Sequence, residues 1–440
     1  MEQKYVKEAF DTNWVVPLGP NVNGFEKDLE EFIAPESPKG ERKTPTKRVV
    51  ALSAGTAAVH LGLLNCGVKP GDEVIVQSFT FCASTHPVTY LGATPVLVDS
   101  EPDTWNIDPE LLEEAIKDRK VKTGKYPVAI VPVALYGMPY KADRIMEIAN
   151  KYGIPVVEDA AEGFGSRYMG QVLGTFGKYG VLSFNGNKMI TTSGGGALIT
   201  ANDDEWREIM MYATQYRESY PYYQHEKIGY NYRMSNICAG IGRGQMTVVN
   251  DHLAHHKHVQ KLYEELLKDV PGIKVHSQPS DIDPQTSLPV YDSNYWLCTI
   301  TIDENVKVKG QEDAYKTIVT GAVGGAAGVI HAAESAHTDC EPNANVEAMR
   351  VALDKAQIEA RPVWKPMHKQ PVYCRTSEKG KVKSEKLPCG AECLTYDNSV
   401  AYVNGVSEAL FKVGMCLPAG PYVTDDDVKY IVDAIKNAII

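Results

Sequence analysis

The 440-residue chain has no excess of positive charge: 56 Asp and Glu outweigh 45 Lys and Arg, for a formal net charge of −11. Without a basic field to hold a phosphodiester backbone, nucleic acid is not an expected partner, and an anionic substrate would need a local cationic pocket. Paired cysteines are also missing. The nine present, at 66, 82, 238, 298, 340, 374, 389, 393 and 416, are odd in number and scattered. They read as reduced thiols, and the close pair Cys389 and Cys393 has no second pair or suitable His nearby to make a zinc site. The start, Met1-Glu2-Gln3-Lys4-Tyr5, lacks the basic and apolar regions of an export signal, so a cytoplasmic location is expected. No long apolar run is clean enough for a membrane span. Val49 to Val68 has the length, but Ser53, Gly55, Thr56, His60, Gly62 and Asn65 interrupt it, and a buried strand followed by a helix is expected there.

Three motifs fail as well. There is no complete G-x-G-x-x-G and no G-x-S-x-G, which removes the best evidence for a nicotinamide-binding fold or an α/β-hydrolase. His252 and His256 have the i, i+4 spacing of a helical zinc pair, but the acidic residue between them is missing, and a solvated helix face with polar histidines is expected instead.

What remains is an ordinary globular composition, 43% hydrophobic and 23% charged, in a chain long enough for two or three domains of about 150 residues. The first two-thirds alternates β-branched runs with helical patterns, the signature of an α/β sheet covered by helices. Strands are predicted at Val74 to Phe81, Thr94 to Asp99, Val128 to Leu135, Pro155 to Asp159, Val181 to Phe184 and Ala197 to Thr200. Helical patterns lie at Pro109 to Asp118 and Lys141 to Tyr152, the second stopped by Gly153. From about Met246 a long helical stretch leads into a smaller unit. It closes with a helix capped by Thr424, with Asp425 to Asp427 in its first turn. Domains are therefore expected at 1–245, including an amino-terminal arm, and at 246–440. A Gly/Ala-rich stretch at about 304–345 reads as an insertion, and Arg375 to Glu392 as a polar surface loop.

Chemistry-bearing residues collect at the predicted strand ends. Asp159 closes the run Pro155-Val156-Val157-Glu158-Asp159, a position shared by helix caps and by carboxylates presented at a sheet edge. Lys188 follows a strand and precedes Ser193-Gly194-Gly195-Gly196, so an apolar run and a permissive turn flank it. A free lysine, with pKa about 10.4, becomes a useful nucleophile when desolvated or set near another cation. Ser53-Ala54-Gly55-Thr56-Ala57-Ala58 opens a helix after Val49 to Leu52, where free amides, the helix dipole and the Thr56 hydroxyl suit a phosphate as well as an ordinary cap. Phe81 ends another strand, either as a core residue or as a cover for a flat ring.

These segments fit together around pyridoxal 5'-phosphate. That cofactor asks for a lysine to join its aldehyde, a carboxylate for its pyridine nitrogen, amides and hydroxyls for its phosphate and a flat cover for its ring. Lys188, Asp159, the Gly55–Thr56 turn with Ser183, and Phe81 meet those demands in turn.

Four stretches, in this order, carry a family resemblance: Glu158-Asp159-Ala160-Ala161-Glu162, Ser183-Phe184-Asn185-Gly186-Asn187-Lys188, Gly229-Tyr230-Asn231-Tyr232-Arg233-Met234-Ser235-Asn236, and Arg361-Pro362-Val363-Trp364-Lys365-Pro366-Met367-His368. The sequence resembles the DegT-like nucleotide-sugar aminotransferases, in particular the branch acting on UDP-linked 4-keto-6-deoxy sugars. The resemblance implies a fold-type I transferase. Its large domain would hold a mostly parallel seven-stranded sheet between helices, followed by a smaller C-terminal α/β domain. It further implies a homodimer with shared active sites, L-glutamate as amino donor, and a nucleotide-linked keto sugar as acceptor, in surface polysaccharide or glycan biosynthesis. On the matching motifs Lys188 is the Schiff-base lysine and proton shuttle, Asp159 the pyridinium partner, and Gly55, Thr56 and Ser183 the phosphate contacts. Asn231 reaches the neighbouring subunit's cofactor phosphate, and Glu162 lies near the ring hydroxyl where many relatives carry Gln or His. Arg233, Trp364, Lys365 and His368 are candidates for substrate. Related sugar dehydratases replace the lysine by His, so Lys188 argues for transamination. A cofactor-binding sensor without turnover is the reading from another class.

Overall fold

A computed structural model describes residues 1–35, 44–315, 340–374 and 382–440. Its main sheet uses β1 (Arg48–Leu52), β2 (Glu73–Gln77), β3 (Thr94–Val98), β4 (Ala129–Val131) and β5 (Val157–Asp159). The short hairpin β6 (Arg167–Tyr168) and β7 (Gln171–Val172) then stands apart, and β8 (Tyr179–Ser183) and β9 (Gly196–Thr200) return to the sheet. The order β1-β9-β8-β5 continues into β4-β2-β3 through parallel bridges Ile130 to Val156 and Val133 to Asp159. Six of these seven strands run the same way and β9 alone opposes them. The C-terminal ends of the parallel strands therefore share one edge, where Leu52, Gln77, Asp159 and Ser183 emerge.

Local chemistry accounts for the helices that cover this sheet. Gly55–Asn65 carries apolar or small residues on every side and is buried almost throughout, as expected of a helix enclosed by neighbours. The expected span Val49 to Val68 is thus strand β1 plus this helix. Pro109–Thr123 starts under Asp108, whose side chain accepts from the amides of Glu110 and Leu111. Ala142–Tyr152 ends at Gly153, held left-handed at φ 66°. No helix among the described residues is long and apolar enough to cross a membrane.

The second unit contains β10 (Ile273–Val275), β12 (Cys298–Ile302), β13 (Arg361–Pro362) and β17 (Gly414–Leu417), while β11 (Tyr291–Asp292), β14 (Lys383–Lys386), β15 (Glu392–Thr395) and β16 (Val400–Val403), from the same part of the chain, pair elsewhere. An antiparallel sheet β10-β12-β17-β13 packs with helices Val249–Leu267, Ala344–Lys355 and Asp425–Ala438 around Val259, Tyr263, Ile300, Met349, Met415 and Ile431. The last helix has a full capping box between Thr424 and Asp427.

Two expectations need correction. Residues 375–392 were expected to form a surface loop; Lys383–Lys386 and Glu392–Thr395 are instead a hairpin that continues through β16 onto β3 in the main sheet. Residues 383–403 therefore return to the first unit, while β11 pairs with β6. The hairpin's outer strand, Lys-Ser-Glu-Lys, is exposed throughout, and its charges suit an edge. His252 and His256 do not form a solvated face. Their Nδ1 atoms bond the carbonyls of Met189 and Tyr295, and His256 is buried. Among the described residues no cluster suited to a metal occurs. The central part of the Gly/Ala-rich stretch, 316–339, lies outside the described residues, as do 375–381.

Candidate active site

Alternation along β5 sends Glu158 and Asp159 to opposite faces of the sheet. Glu158 is closed off by the amides of Gly174 and Gly177, at 2.9 and 2.5 Å. Asp159 accepts from Ser84 Oγ at 2.6 Å and from the Ala161 amide at 3.1 Å. Burial pushes the Asp159 carboxyl above its ordinary pKa, against the pull of Ser84, the Ala161 amide and Lys188. It is a carboxylate that a further cation would stabilise.

Lys188 arrives from the turn after β8. Phe184, packed on Phe25 and Phe164 with ring centroids 5.1 and 5.9 Å away, anchors that turn. Trp296 donates from Nε1 to the Asn187 carbonyl at 2.6 Å and lays its ring 4.1 Å from Lys188 Nζ. The ammonium is 3.5 Å from a Glu162 oxygen, and its side chain is only 11% exposed. Glu162 takes the Tyr136 amide on its other oxygen at 2.8 Å. Burial raises this carboxyl too, and Lys188 opposes the rise.

Opposite these charges is the start of the helix Gly55–Asn65. Ala54 precedes it, so no side chain caps its first amides. A Cβ on Gly55 would stand 2.9 Å from Ser183 Cβ, and one on Gly196 would stand 2.3 Å from the Gly55 nitrogen. Both positions need glycine for β8, β9 and the helix start to come this close. The result is a cavity of about 290 Å³, lined by Gly55, Thr56, Phe81, Ser84, Asp159, Glu162, Ser183 and Lys188 among others. Amides and hydroxyls at one end suit an anion; an amine and two carboxylates meet at the other.

The comparisons with known proteins decide the family. Residues 1–327 match the model of the DegT/DnrJ/EryC1/StrS aminotransferase family. The chain belongs to that family. EpsN of Bacillus subtilis, named among the pyridoxal phosphate-dependent aminotransferases, is 36% identical over 99% of this chain and 92% of its own length. GDP-perosamine synthase of Caulobacter vibrioides is 32% identical over 100% of this chain and 95% of its own. Among solved structures, a family aminotransferase from Brucella abortus has a TM-score of 0.75 at 24% identity, covering 99% of this chain and 94% of its own. These likenesses agree with the sheet described above, a fold-type I α/β architecture.

As a DegT/DnrJ/EryC1/StrS aminotransferase the protein uses pyridoxal phosphate, and the cavity fits that group. Glycines 55 and 196 leave a cradle that a Cβ would fill, the uncapped amides suit a phosphate, and the buried Asp159 carboxyl suits a cation. Gly55, Thr56, Phe81, Asp159, Glu162, Ser183 and Lys188, drawn from four stretches of sequence, meet in this one space.

The other candidates separate from it. Asn231 is exposed and bridged to Thr214 instead of lining the cavity. Arg233, read as a substrate cation, is a buried structural residue: it pairs with both oxygens of Glu26 and donates to the Ala51 carbonyl at 2.9 Å. His368, also read as a substrate contact, is fully buried, with Nδ1 2.6 Å from Ser78 Oγ and Nε2 3.1 Å from Glu408. It fastens the 364–370 segment to the end of β2. Trp364 and Lys365 line a second cavity of about 410 Å³, which shares Thr80 and Phe81 with the first.

Sequence reading missed Ser84, Trp296 and Tyr136. Ser84 follows Phe81 by three residues in a short turn with no pattern of its own. Trp296 lies 108 positions from the lysine it covers, and no motif announces it. A clue to Tyr136 was available in Leu135-Tyr136-Gly137, which follows a strand as a turn would.

Proposed function

We propose that this aminotransferase moves an amino group from L-glutamate to a nucleotide-linked keto sugar, in two half-reactions at the cavity around Lys188. The observation that carries the reading is the meeting of Lys188, Asp159 and Glu162 at one end of a cavity whose other end offers Gly55, Thr56 and Ser183. Bound there, pyridoxal phosphate supplies an aldehyde that accepts amines and a ring that takes up electrons when a neighbouring C–H bond breaks.

The chain's residues divide the work. The helix-start amides, Thr56 and Ser183 hold the phosphate, and Phe81 covers the ring. Asp159, steadied by Ser84 and the Ala161 amide, keeps the ring nitrogen protonated. Lys188 would supply the amine that holds the aldehyde and, once free, would move a proton at the donor carbon. Buried beside Trp296, it does this with little competition from water.

Asn231 lies outside its own cavity, which supports the further reading that two copies associate and each Asn231 reaches the phosphate held by the other. Absence of a basic excess and of an apolar span supports a protein that works on small molecules in the cytoplasm. Trp364 and Lys365, in the cavity beyond Phe81, are the acceptor contacts in this proposal.

UDP-4-keto-6-deoxy-N-acetylhexosamine is the acceptor we favour from the motifs. A GDP-linked keto sugar is the second reading, because GDP-perosamine synthases match the chain over its full length. The purified protein, given L-glutamate and a panel of UDP-, dTDP- and GDP-linked keto sugars, is expected to form an amino sugar nucleotide visible by mass spectrometry. Failure across the panel, with no glutamate-dependent change in cofactor absorbance, would remove the proposal and leave a cofactor-binding sensor.

A further inference from the structure

We infer that His368 is a positioning residue for the acceptor: it sets the spacing between the two stretches that line the cavity beyond Phe81, and so governs how tightly the sugar nucleotide is held there. This rests on the proposed reading that Trp364 and Lys365 meet the acceptor in that cavity. It gives a task to a residue that is fully buried and cannot touch the acceptor itself.

The two stretches are distant in the chain. Thr80, Phe81 and His86 line the cavity from one, Trp364, Lys365 and Gln370 from the other. No covalent link fixes their separation, so bonds between the stretches must set it. Ser78, Met367 and His368 supply three. The Met367 amide donates to the Ser78 carbonyl at 2.7 Å, the His368 amide donates to Ser78 Oγ at 3.3 Å, and Ser78 Oγ lies 2.6 Å from His368 Nδ1. Ser78, just past β2, is itself held to β3 by donating its amide to the Val98 carbonyl at 2.7 Å. At the start of the second stretch the Trp364 amide donates to the Tyr136 hydroxyl at 2.7 Å, so residues 364–368 are pinned at both ends.

The far side of the imidazole is fixed as well. His368 Nε2 lies 3.1 Å from Glu408, which also pairs with Lys369 at 3.0 Å. Hydrogen bonding holds the Glu408 carboxyl down at about 2, so near pH 7 it can only accept, and Nε2 carries a hydrogen. Glu408 stands in the first turn of the helix Val406–Val413. The start of that helix is tied to Asp99, which follows β3 and accepts from the amides of Asn404, Gly405 and Ser407 at 3.2, 3.0 and 3.1 Å. His368 therefore spans from the end of β2 to an element anchored at the end of β3, its neighbour in the sheet. Hydrogen bonds at both ring nitrogens fix distance and direction together, which non-directional apolar packing does not.

The test separates the two half-reactions in the holoenzyme and two variants. His368→Gln keeps a donor for Glu408 but offers Ser78 no ring nitrogen, and Ser78→Ala removes the same bond from the other stretch. The acceptor is UDP-4-keto-6-deoxy-N-acetylhexosamine, or a GDP-linked keto sugar where the wild type uses that one. At saturating L-glutamate its KM should rise about tenfold or more in both variants. The turnover number, and the rate at which glutamate alone changes the cofactor absorbance, should stay within about twofold of the wild type. If His368→Gln does not fold by circular dichroism, Ser78→Ala decides alone. An unmoved acceptor KM overturns the inference, and so does a parallel fall in both half-reactions, the result expected of a merely structural residue. A wild type that converts neither acceptor, while glutamate still changes the absorbance, would overturn the underlying reading and this inference with it.

Discussion

Arg233 and Lys188 are both long cations withdrawn from water, at 8% and 11% side-chain exposure, and both face glutamates. Their surroundings differ in completeness. The Arg233 fork meets both oxygens of Glu26 and the Ala51 carbonyl, while Glu26 also accepts the Ala51 amide at 2.8 Å. Those bonds tie the helix Pro20–Phe32, β1 and the segment before Asn236–Met246 together. Lys188 has one carboxylate oxygen at 3.5 Å and the face of Trp296, and beyond them a cavity. The first group spends its charge on cohesion; the second keeps donor capacity for a ligand. Buried charge alone does not mark a site. Incomplete pairing beside a space does.

Five substitutions test that contrast. Lys188→Ala should lower turnover by about four orders of magnitude and abolish the bound-cofactor absorbance, with little change in the unfolding midpoint. Retained turnover in a stopped-flow assay would take Lys188 out of the mechanism. Arg233→Met, at the closed pair, should do the reverse. It leaves Glu26 buried without a cation, at a cost of about 3–5 kcal/mol in urea unfolding, with unchanged turnover per folded molecule. Adding Glu26→Gln should recover most of that loss, since burial already pushes the Glu26 carboxyl above its ordinary pKa despite Arg233.

A smaller effect is expected from Ser84→Ala, which removes one hydrogen bond from Asp159. Bonds to charged groups contribute about 1.5–3 kcal/mol, so the cofactor's dissociation constant, measured by absorbance titration, should rise about tenfold or more. An unchanged constant would show that Ser84 does not hold Asp159 in its working position.

The smallest effect concerns a second closed cluster, His368, Lys369 and Glu408. Hydrogen bonding from His368, and then from Lys369, holds Glu408 down at about 2 from an ordinary 4.5. A depressed carboxyl contributes stability that is present above the unfolded value and lost as pH falls through the folded one. Wild-type stability should therefore decline between pH 4.5 and about 2 more steeply than that of Glu408→Gln, as read from urea midpoints across the window. Parallel slopes would mean that the cluster adds nothing to stability in acid.

Much of this site was legible before any coordinates. Asp159, Ser183 and Gly55 could be placed because each ends or follows a short β-branched run, and parallel strands bring such ends to one edge. Lys188 stood out through an apolar run before it and glycines after it. Arg233 and His368 were misread for the same reason in both cases: a cation in a motif advertises charge, whereas its task depends on its partner. Glu26 lies 207 residues from Arg233 and Glu408 lies 40 from His368. The hairpin Lys383–Lys386 and Glu392–Thr395 was misread because its outer strand is polar on both faces, so it shows no burial period.

The order of residues by itself determined the alternating strands and helices, their caps and the set of reactive groups, because these depend on patterns a few residues long. Only the tertiary structure decided which charges are neutralised and which remain available, and that residues 383–403 return to the first sheet. Those outcomes depend on desolvation and on contacts between segments far apart in sequence, which local pattern does not encode.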